Sequence, residues 1–416
     1  MSKPATPRAK PQHAPMDQFA VAGNCLLIGG RPLTAVAAEV GSTPFYAYDS
    51  AVMTAQVNKL RAALPRGIHL HYAMKANPMP AVVQHLANLT DGLDVASAGE
   101  LAVALATGTD PRNISFAGPG KSKADLAAAV AGGVIINMES EGEMARIAEL
   151  AKANDCRPRV AIRVNPDFEL KTSGMKMGGG PKPFGVDAER VPAMLQALGT
   201  LPLEFMGFHI FSGSQNLRPE AIIEAQTKTF QLAFRLAQDA PSPVQWLNIG
   251  GGLGVPYFPG EQRIGLADIA ANLEPLLAEA RTRLPEAEIV MELGRYLVAE
   301  AGIYVCEVVD RKVSRGETFL ITNGGLHHHL AASGNFGQVI RKNYPVCIGN
   351  RVAAEHMETV SVVGPLCTPL DILADRMELA PADVGDLVVV FQSGAYGYSA
   401  SPRDFLGHPH PVEILL

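Results

Sequence analysis

The stretch Ile68-His69-Leu70-His71-Tyr72-Ala73-Met74-Lys75-Ala76-Asn77-Pro78 carries one lysine at the end of a short apolar run, and Asn77-Pro78 then breaks the element. A strand that stops at a lysine sets an amine at the rim of a sheet. Among Tyr72, Ala73 and Met74 that amine is expected to be poorly solvated, which favours its neutral, nucleophilic form. Taken alone, the segment reads more readily as a surface lysine capping a strand. The rest of the chain reverses that reading.

Working outward, runs with strand character recur at 68–74, 92–96, 114–117, 134–138, 160–165, 205–211, 245–249 and 288–292. Ala-rich segments of helical period separate them, at 79–89, 98–107, 122–131, 140–154, 187–199, 218–239 and 266–284. Eight strands alternating with helices predict an α/β fold, a closed parallel (β/α)8 barrel of the TIM type. An open doubly wound sheet is the rival, but the glycine fingerprint it needs after its first strand is missing. Beyond residue 300 the pattern changes to β-branched runs at 302–310, 317–322, 358–364, 385–392 and 412–416, divided by Gly, Pro and Asn turns. The expected organisation is a disordered tail over 1–18, a strand segment over 19–45 that joins a β domain, a barrel over 46–300, and a mostly antiparallel β domain over 301–416.

The 416 residues suffice for two domains with a sizeable core, and 47 % hydrophobic with 18 % charged residues describes a globular enzyme. A net charge of −6 leaves no basic stripe for nucleic acid or an anionic membrane. No run approaches the ~18 apolar residues of a membrane span, and the first 18 residues lack the apolar core of a signal peptide. Five scattered cysteines without a CxxC pair suit reduced thiols in a cytoplasm and argue against structural zinc.

In such a barrel, reactive groups gather just past the strand ends on one face. Here those positions hold Lys75, Asp94 with Ser97, Glu139 with Ser140, Arg163 with Asn165, His209 with the Ser212-Gly213-Ser214-Gln215 turn, Gly250-Gly251-Gly252, and Glu292-Leu293-Gly294-Arg295. A glycine triplet lets backbone N–H groups approach an anion, and an arginine follows at the next strand end. A lysine together with an anion cradle is what a phosphorylated aldehyde cofactor needs, and pyridoxal phosphate is that molecule. Gly178-Gly179-Gly180 competes for the cradle, but lies in a Gly-, Pro- and Lys-rich loop over 171–186 that reads as a mobile lid.

The segments Tyr72-Ala73-Met74-Lys75-Ala76-Asn77, Gly207-Phe208-His209-Ile210-Phe211-Ser212-Gly213-Ser214, Gly250-Gly251-Gly252, Glu292-Leu293-Gly294-Arg295, Gly364-Pro365-Leu366-Cys367 and Gly394-Ala395-Tyr396 stand in order. In that order they resemble the fold type III pyridoxal-phosphate decarboxylases, relatives of diaminopimelate, ornithine and arginine decarboxylases. The resemblance implies a Schiff base on Lys75, His209 stacked on the cofactor ring and Glu292 at the pyridine nitrogen. It places Arg163 at the ring hydroxyl side and Asp94 among the cofactor's neighbours. Gly250, Gly251, Gly252, Ser214, Gly294, Arg295 and Tyr396 would surround the phosphate. Cys367 would reach in from the neighbouring subunit of a homodimer to protonate the substrate carbon, so that the active sites are shared. The related alanine racemases put an arginine where Glu292 stands; a carboxylate keeps the ring nitrogen protonated and so favours decarboxylation over racemisation.

The chain departs from that pattern in three places. Relatives acting on diamino substrates carry an acid directly after the cysteine, whereas Thr368 is neutral. A buried ammonium left unpaired costs about 3–5 kcal/mol, so a distal ammonium should bind poorly unless Asp371 or Glu139 compensates. The turn at Ser212 has an extra residue. Leu326-His327-His328-His329-Leu330 replaces a substrate-side loop and is expected at the dimer interface rather than on a metal. Arg341 and Tyr344 are candidates for a substrate carboxylate. These departures resemble a subgroup whose substrate is an amino acid tethered to a carrier protein, such as L-glutamyl-carrier, or one linked to exopolysaccharide export. A racemase and a non-catalytic carrier of the cofactor are the alternatives.

Overall fold

The computed structural model describes residues 11–169, 175, 176 and 178–416. Eight parallel strands, first to eighth in chain order, form a closed barrel: Ile68–Ala73, Gly92–Val95, Ile114–Phe116, Ile135–Met138, Arg159–Asn165, Glu204–Ile210, Trp246–Asn248 and Glu288–Leu293. Pairing of the eighth strand with the first (Glu292 opposite His71) and of the fourth with the fifth (Ile136 opposite Val160) leaves no open edge in the ring. Each lies within two residues of its expected position.

The sequence also sets where helices begin. Ser97, Ser122 and Ser140 precede the helices Ala98–Ala106, Lys123–Gly132 and Glu141–Ala153, and each hydroxyl accepts the N–H three residues on. These caps satisfy donors that a helix start leaves bare, and so fix the length of each strand-end loop. Leu101, Leu126, Ile147 and Phe230 turn the apolar helix faces inward and join one continuous buried core.

The second sheet is built on the long strand Gly302–Ser314, which pairs antiparallel with Glu317–Thr322, Leu387–Val390 and Phe45–Tyr48. Two of its ladders are parallel: Glu317–Thr322 with Glu358–Val363, and Phe45–Tyr48 with Val412–Leu415. Strands Val346–Ile348 and Ile372–Leu379 were absent from the sequence reading; the second alternates buried and exposed residues around Asp375 and Arg376, which hides its apolar signal. Cys25–Ile28 does not enter this sheet. It forms a small one with Val21–Ala22 and Arg31–Pro32, and packs Leu26 and Ile28 on Phe45, Ile303 and Val389.

The expectation of a disordered tail fails for residues 11–18. Gly260 N–H donates to Gln12 O (2.8 Å), the His13 ring lies 2.9 Å from Asn343 O, Ala14 is buried, and Arg263 holds Asp17. Residues 1–10 and 170 lie outside the described residues, as do 171–174 and 177 of the expected lid.

A bulge in the sixth strand brings Gly207 against the seventh, where a Cβ would stand 1.8 Å from the Trp246 carbonyl oxygen. Gly207→Ala is therefore expected to part the two strands and cost about 2 kcal/mol or more. Denaturant unfolding of the variant beside wild type checks this, and an unchanged midpoint would contradict it.

Candidate active site

The C-terminal ends of the barrel strands open onto one cavity of about 500 Å³. Lys75 stands there on a one-turn 3-10 helix, Met74–Ala76, at the end of the first strand. Three hydrogen bonds fix that turn. Tyr72 Oη donates to Asn77 O (2.8 Å), Asn77 Nδ2 to Gly394 O (3.1 Å), and Tyr396 N to Ala76 O (2.8 Å). The β domain thus clamps the backbone on which the lysine rides.

Lys75 Nζ lies 3.3 Å from Glu292 Oε1, and His209 Nε2 lies 3.1 Å from Glu292 Oε2. Burial alone would push the Glu292 carboxyl up, but Lys75, then His209 and Arg163, outweigh it and hold it well below the usual range. In return the Glu292 carboxylate, ahead of the opposing effect of burial, raises Lys75. The expectation of a desolvated, neutral amine is therefore corrected for this arrangement. The side chain is 47 % exposed to the cavity and paired with an anion, so it is held as the ammonium.

Asp94 lines the same cavity and closes a buried polar chain across the barrel. Ser115 Oγ donates to its Oδ1 (2.5 Å), Asn137 Nδ2 donates to Ser115 Oγ (3.2 Å), and the His71 ring lies 3.2 Å from Oδ1. On the far wall, Arg163 Nη1 donates to Glu139 Oε1 (2.8 Å), and Glu139 also accepts the N–H groups of Gly118 and Gly185. Burial pushes Glu139 up, yet Arg163 and Lys121 keep it ionised. Lys121, absent from the sequence reading, lines this wall and pairs with Glu143 (3.0 Å). Its signal was there: it follows the third strand, whose end had supplied no candidate.

The remaining wall suits a phosphate. Ser214, Gly252, Gly294, Arg295 and Tyr396 line the cavity, with the Arg295 guanidinium 4.6 Å over the Tyr396 ring. Gly252 has φ +90°, and a Cβ there would meet Gly213 O at 2.5 Å, so only glycine leaves this backbone open to an anion. Arg295 Nε is buried without a hydrogen-bond partner among the described residues. Gly250 and Gly251 sit in an adjoining crevice, and His209, paired with Glu292 through Nε2, leaves Nδ1 without a hydrogen-bond partner among the described residues. An amine, a buried carboxylate and a cationic glycine-rich cradle around one cavity fit pyridoxal phosphate.

Other candidates lie elsewhere. Cys367 is exposed and outside this chain's cavity lining. Thr368 Oγ1 accepts its own loop's Leu370 N–H (3.3 Å). Asp371 is buried, and its oxygens accept Leu326 N–H (2.5 Å) and Leu366 N–H (2.8 Å), which makes it a loop anchor rather than a free substrate ligand. Arg341 spends its donors on the carbonyls of Ser333 and Ile372. Tyr344 is buried against Tyr257, with ring centroids 4.7 Å apart. His327, His328 and His329 are buried within their own chain rather than on its surface. Burial lowers them to about 4, 3 and 3, His329 lies 2.9 Å from Ser393 Oγ, and His328 lies 3.0 Å from Pro409 O. Phe184 and Phe336, which the sequence did not single out, complete the cavity.

Because Glu292 raises Lys75, Glu292→Gln is expected to lower the lysine's pKa and so enlarge its neutral fraction at any pH below the wild-type value. Trinitrobenzenesulfonate labelling of Lys75 in cofactor-free protein at pH 8 should then be faster in the variant. Equal or slower labelling would refute the coupling.

Residues 50–299 match the model for the pyridoxal-binding domain of pyridoxal-dependent decarboxylases. The chain is 41 % identical to an L-glutamyl-(BtrI acyl-carrier protein) decarboxylase of Niallia circulans, covering 90 % of this chain and 88 % of that one. It is 31 % identical to a 2-[(L-alanin-3-ylcarbamoyl)methyl]-2-hydroxybutanedioate decarboxylase of Staphylococcus aureus, over 89 % and 93 % of the two. In structure it is similar to a diaminopimelate decarboxylase from M. jannaschii, with a TM-score of 0.87 at 25 % identity over 96 % of this chain and 92 % of that one. With the lysine, its paired carboxylate and the glycine-lined cradle already facing one another, these matches settle the lineage: this chain belongs to the pyridoxal-dependent decarboxylases, and its cofactor is pyridoxal phosphate.

Proposed function

We propose that this decarboxylase removes the α-carboxyl group of an L-amino acid whose side-chain end is joined to a carrier protein, with a glutamyl group as the favoured cargo. The observation that carries the reading is the fate of the residues after Cys367. Thr368 is neutral, and both Asp371 oxygens are taken by backbone N–H groups. Of the carboxylates lining the cavity, Glu292 pairs with Lys75, and Asp94 is buried with its Oδ1 held by Ser115 and close to the His71 ring. A distal ammonium would enter without a counter-charge, whereas an amide or thioester has no charge to pair. Two relatives bear names in which the amino acid is part of a larger conjugate, one of them on an acyl-carrier protein, and this supports the reading. The reaction needs free α-amino and α-carboxyl groups, so attachment must run through the side-chain carboxyl.

When bound, pyridoxal phosphate supplies the conjugated acceptor for the electron pair that CO₂ leaves behind. Lys75 would hold the cofactor through its aldehyde group. Glu292 would stand at the ring nitrogen and help keep a proton there. His209 would support the ring, and Arg163 would stand at its hydroxyl side. Ser214, Gly252, Gly294, Arg295 and Tyr396 would hold the phosphate, with Gly250 and Gly251 in the adjoining crevice shaping the turn beneath it. Cys367 delivers a proton to the α-carbon of the partner's substrate. Its exposure on this chain, away from this chain's own cavity, supports a homodimer with shared sites. Five free cysteines support a reducing cytoplasm as the setting.

Two measurements test this. CO₂ release should be efficient from glutamyl-loaded carrier protein and weak from free ornithine, lysine and meso-diaminopimelate; efficient turnover of a free diamino acid would reject the substrate class. Mixing Lys75→Ala with Cys367→Ala chains should restore about a quarter of wild-type activity, since half of the dimers are mixed and each carries one intact site. No recovery would place both residues in one subunit's site.

A further inference from the structure

Three phenylalanines, Phe184, Phe211 and Phe336, face the cavity. Two are engaged by cations: Lys75 Nζ stands 5.9 Å from the Phe211 centroid, and the Arg163 guanidinium 5.0 Å from that of Phe184. Among the described residues Phe336 has no such partner and is 46 % exposed. It rides on the loop 333–343 of the β domain, which is held firmly. Arg341 Nη2 donates to Ile372 O (2.8 Å), Asn343 Nδ2 donates to Asp375 O (2.8 Å), and Asp375 N donates back to Asn343 Oδ1 (2.9 Å). Asn335 Nδ2 reaches Leu370 O (3.4 Å), tying the ring's loop to the loop of Cys367 and Thr368. An exposed aromatic ring on an anchored loop, at the rim of this cavity, is built to cover apolar surface.

We propose that Phe336 is a specificity-determining residue whose ring receives the alkyl arm beyond the side-chain carbonyl of a conjugated substrate. The assignment rests on the conjugate reading and adds the residue that selects for it. A phenyl wall gains from methylenes laid against it, whereas an ammonium finds there only the weak attraction of a ring face in place of a carboxylate.

The test uses the holoenzyme and three small probes: γ-glutamyl butylamide, which carries a neutral arm, L-glutamine, which lacks the arm, and L-ornithine. Phe336→Ala should lower kcat/KM for the butylamide roughly tenfold while leaving L-glutamine within about twofold, the scale expected when an apolar pocket loses its contact. Phe336→Leu should recover most of the loss, and Phe336→Glu should shift relative turnover toward L-ornithine. The visible absorbance of the bound cofactor should be the same in all variants. Equal losses for butylamide and glutamine, or a changed cofactor absorbance, would make Phe336 a support of the cofactor site and overturn the assignment. A wild-type preference for the butylamide that survives in Phe336→Ala would overturn this assignment alone. A wild-type preference for ornithine would overturn the conjugate reading and this assignment with it.

Discussion

A carboxylate buried at the centre of a protein must find positive charge or give up its own, and the active site is arranged around how Glu292 meets that demand. The parallel pairing of the eighth strand with the first puts Glu292 opposite His71, so the lysine four residues further along the first strand emerges beside it. The sixth strand brings His209 to the other carboxylate oxygen. Gly251 follows from the same constraint, since a Cβ there would press to 1.9 Å from the Glu292 carbonyl. Barrel closure, the glycine after the seventh strand and the charge state of the lysine are thus one problem solved together.

The barrel does not complete the site by itself. Gly394 packs so closely on the barrel's last turn that a Cβ would stand 1.8 Å from Val298 O. Two residues on, Tyr396 adopts φ +54° and stacks under Arg295 while its N–H holds the Lys75 turn. A left-handed tyrosine is a strained choice. It is tolerated here because the backbone on either side is fixed by strand and barrel. The β domain therefore shapes both the lysine's seat and the cationic end of the cavity.

Much of this was legible in the chain. Strand and helix positions followed from apolar period and from serine caps, both of which are local signals. Lys75, Asp94, Arg163, Glu292 and Arg295 were visible because the barrel topology concentrates chemistry at strand ends. What stayed hidden depends on partners far away in sequence. The protonation of Lys75 is set by a carboxylate 217 residues later. Whether Asp371 faces substrate or backbone depends on the loop that Leu326 opens. Phe336 sits in a stretch with neither period nor motif, and only the folded β domain aims it at the barrel. The histidine run was expected at a dimer interface, whereas all three imidazoles are buried inside this chain, with His328 beside Pro409 O and His329 beside Ser393 Oγ.

The segment around Ala14 acts as a belt. One hydrogen bond ties it to the loop after the seventh strand, through Gly260, and another ties it to Asn343, whose side chain is stitched to Asp375. Barrel and β domain are buckled together by residues that composition alone would discard as dangling. Anyone trimming this polypeptide for expression should cut ahead of Pro11. A start at Phe19 would remove Asp17 from Arg263 and the His13 ring from Asn343 O.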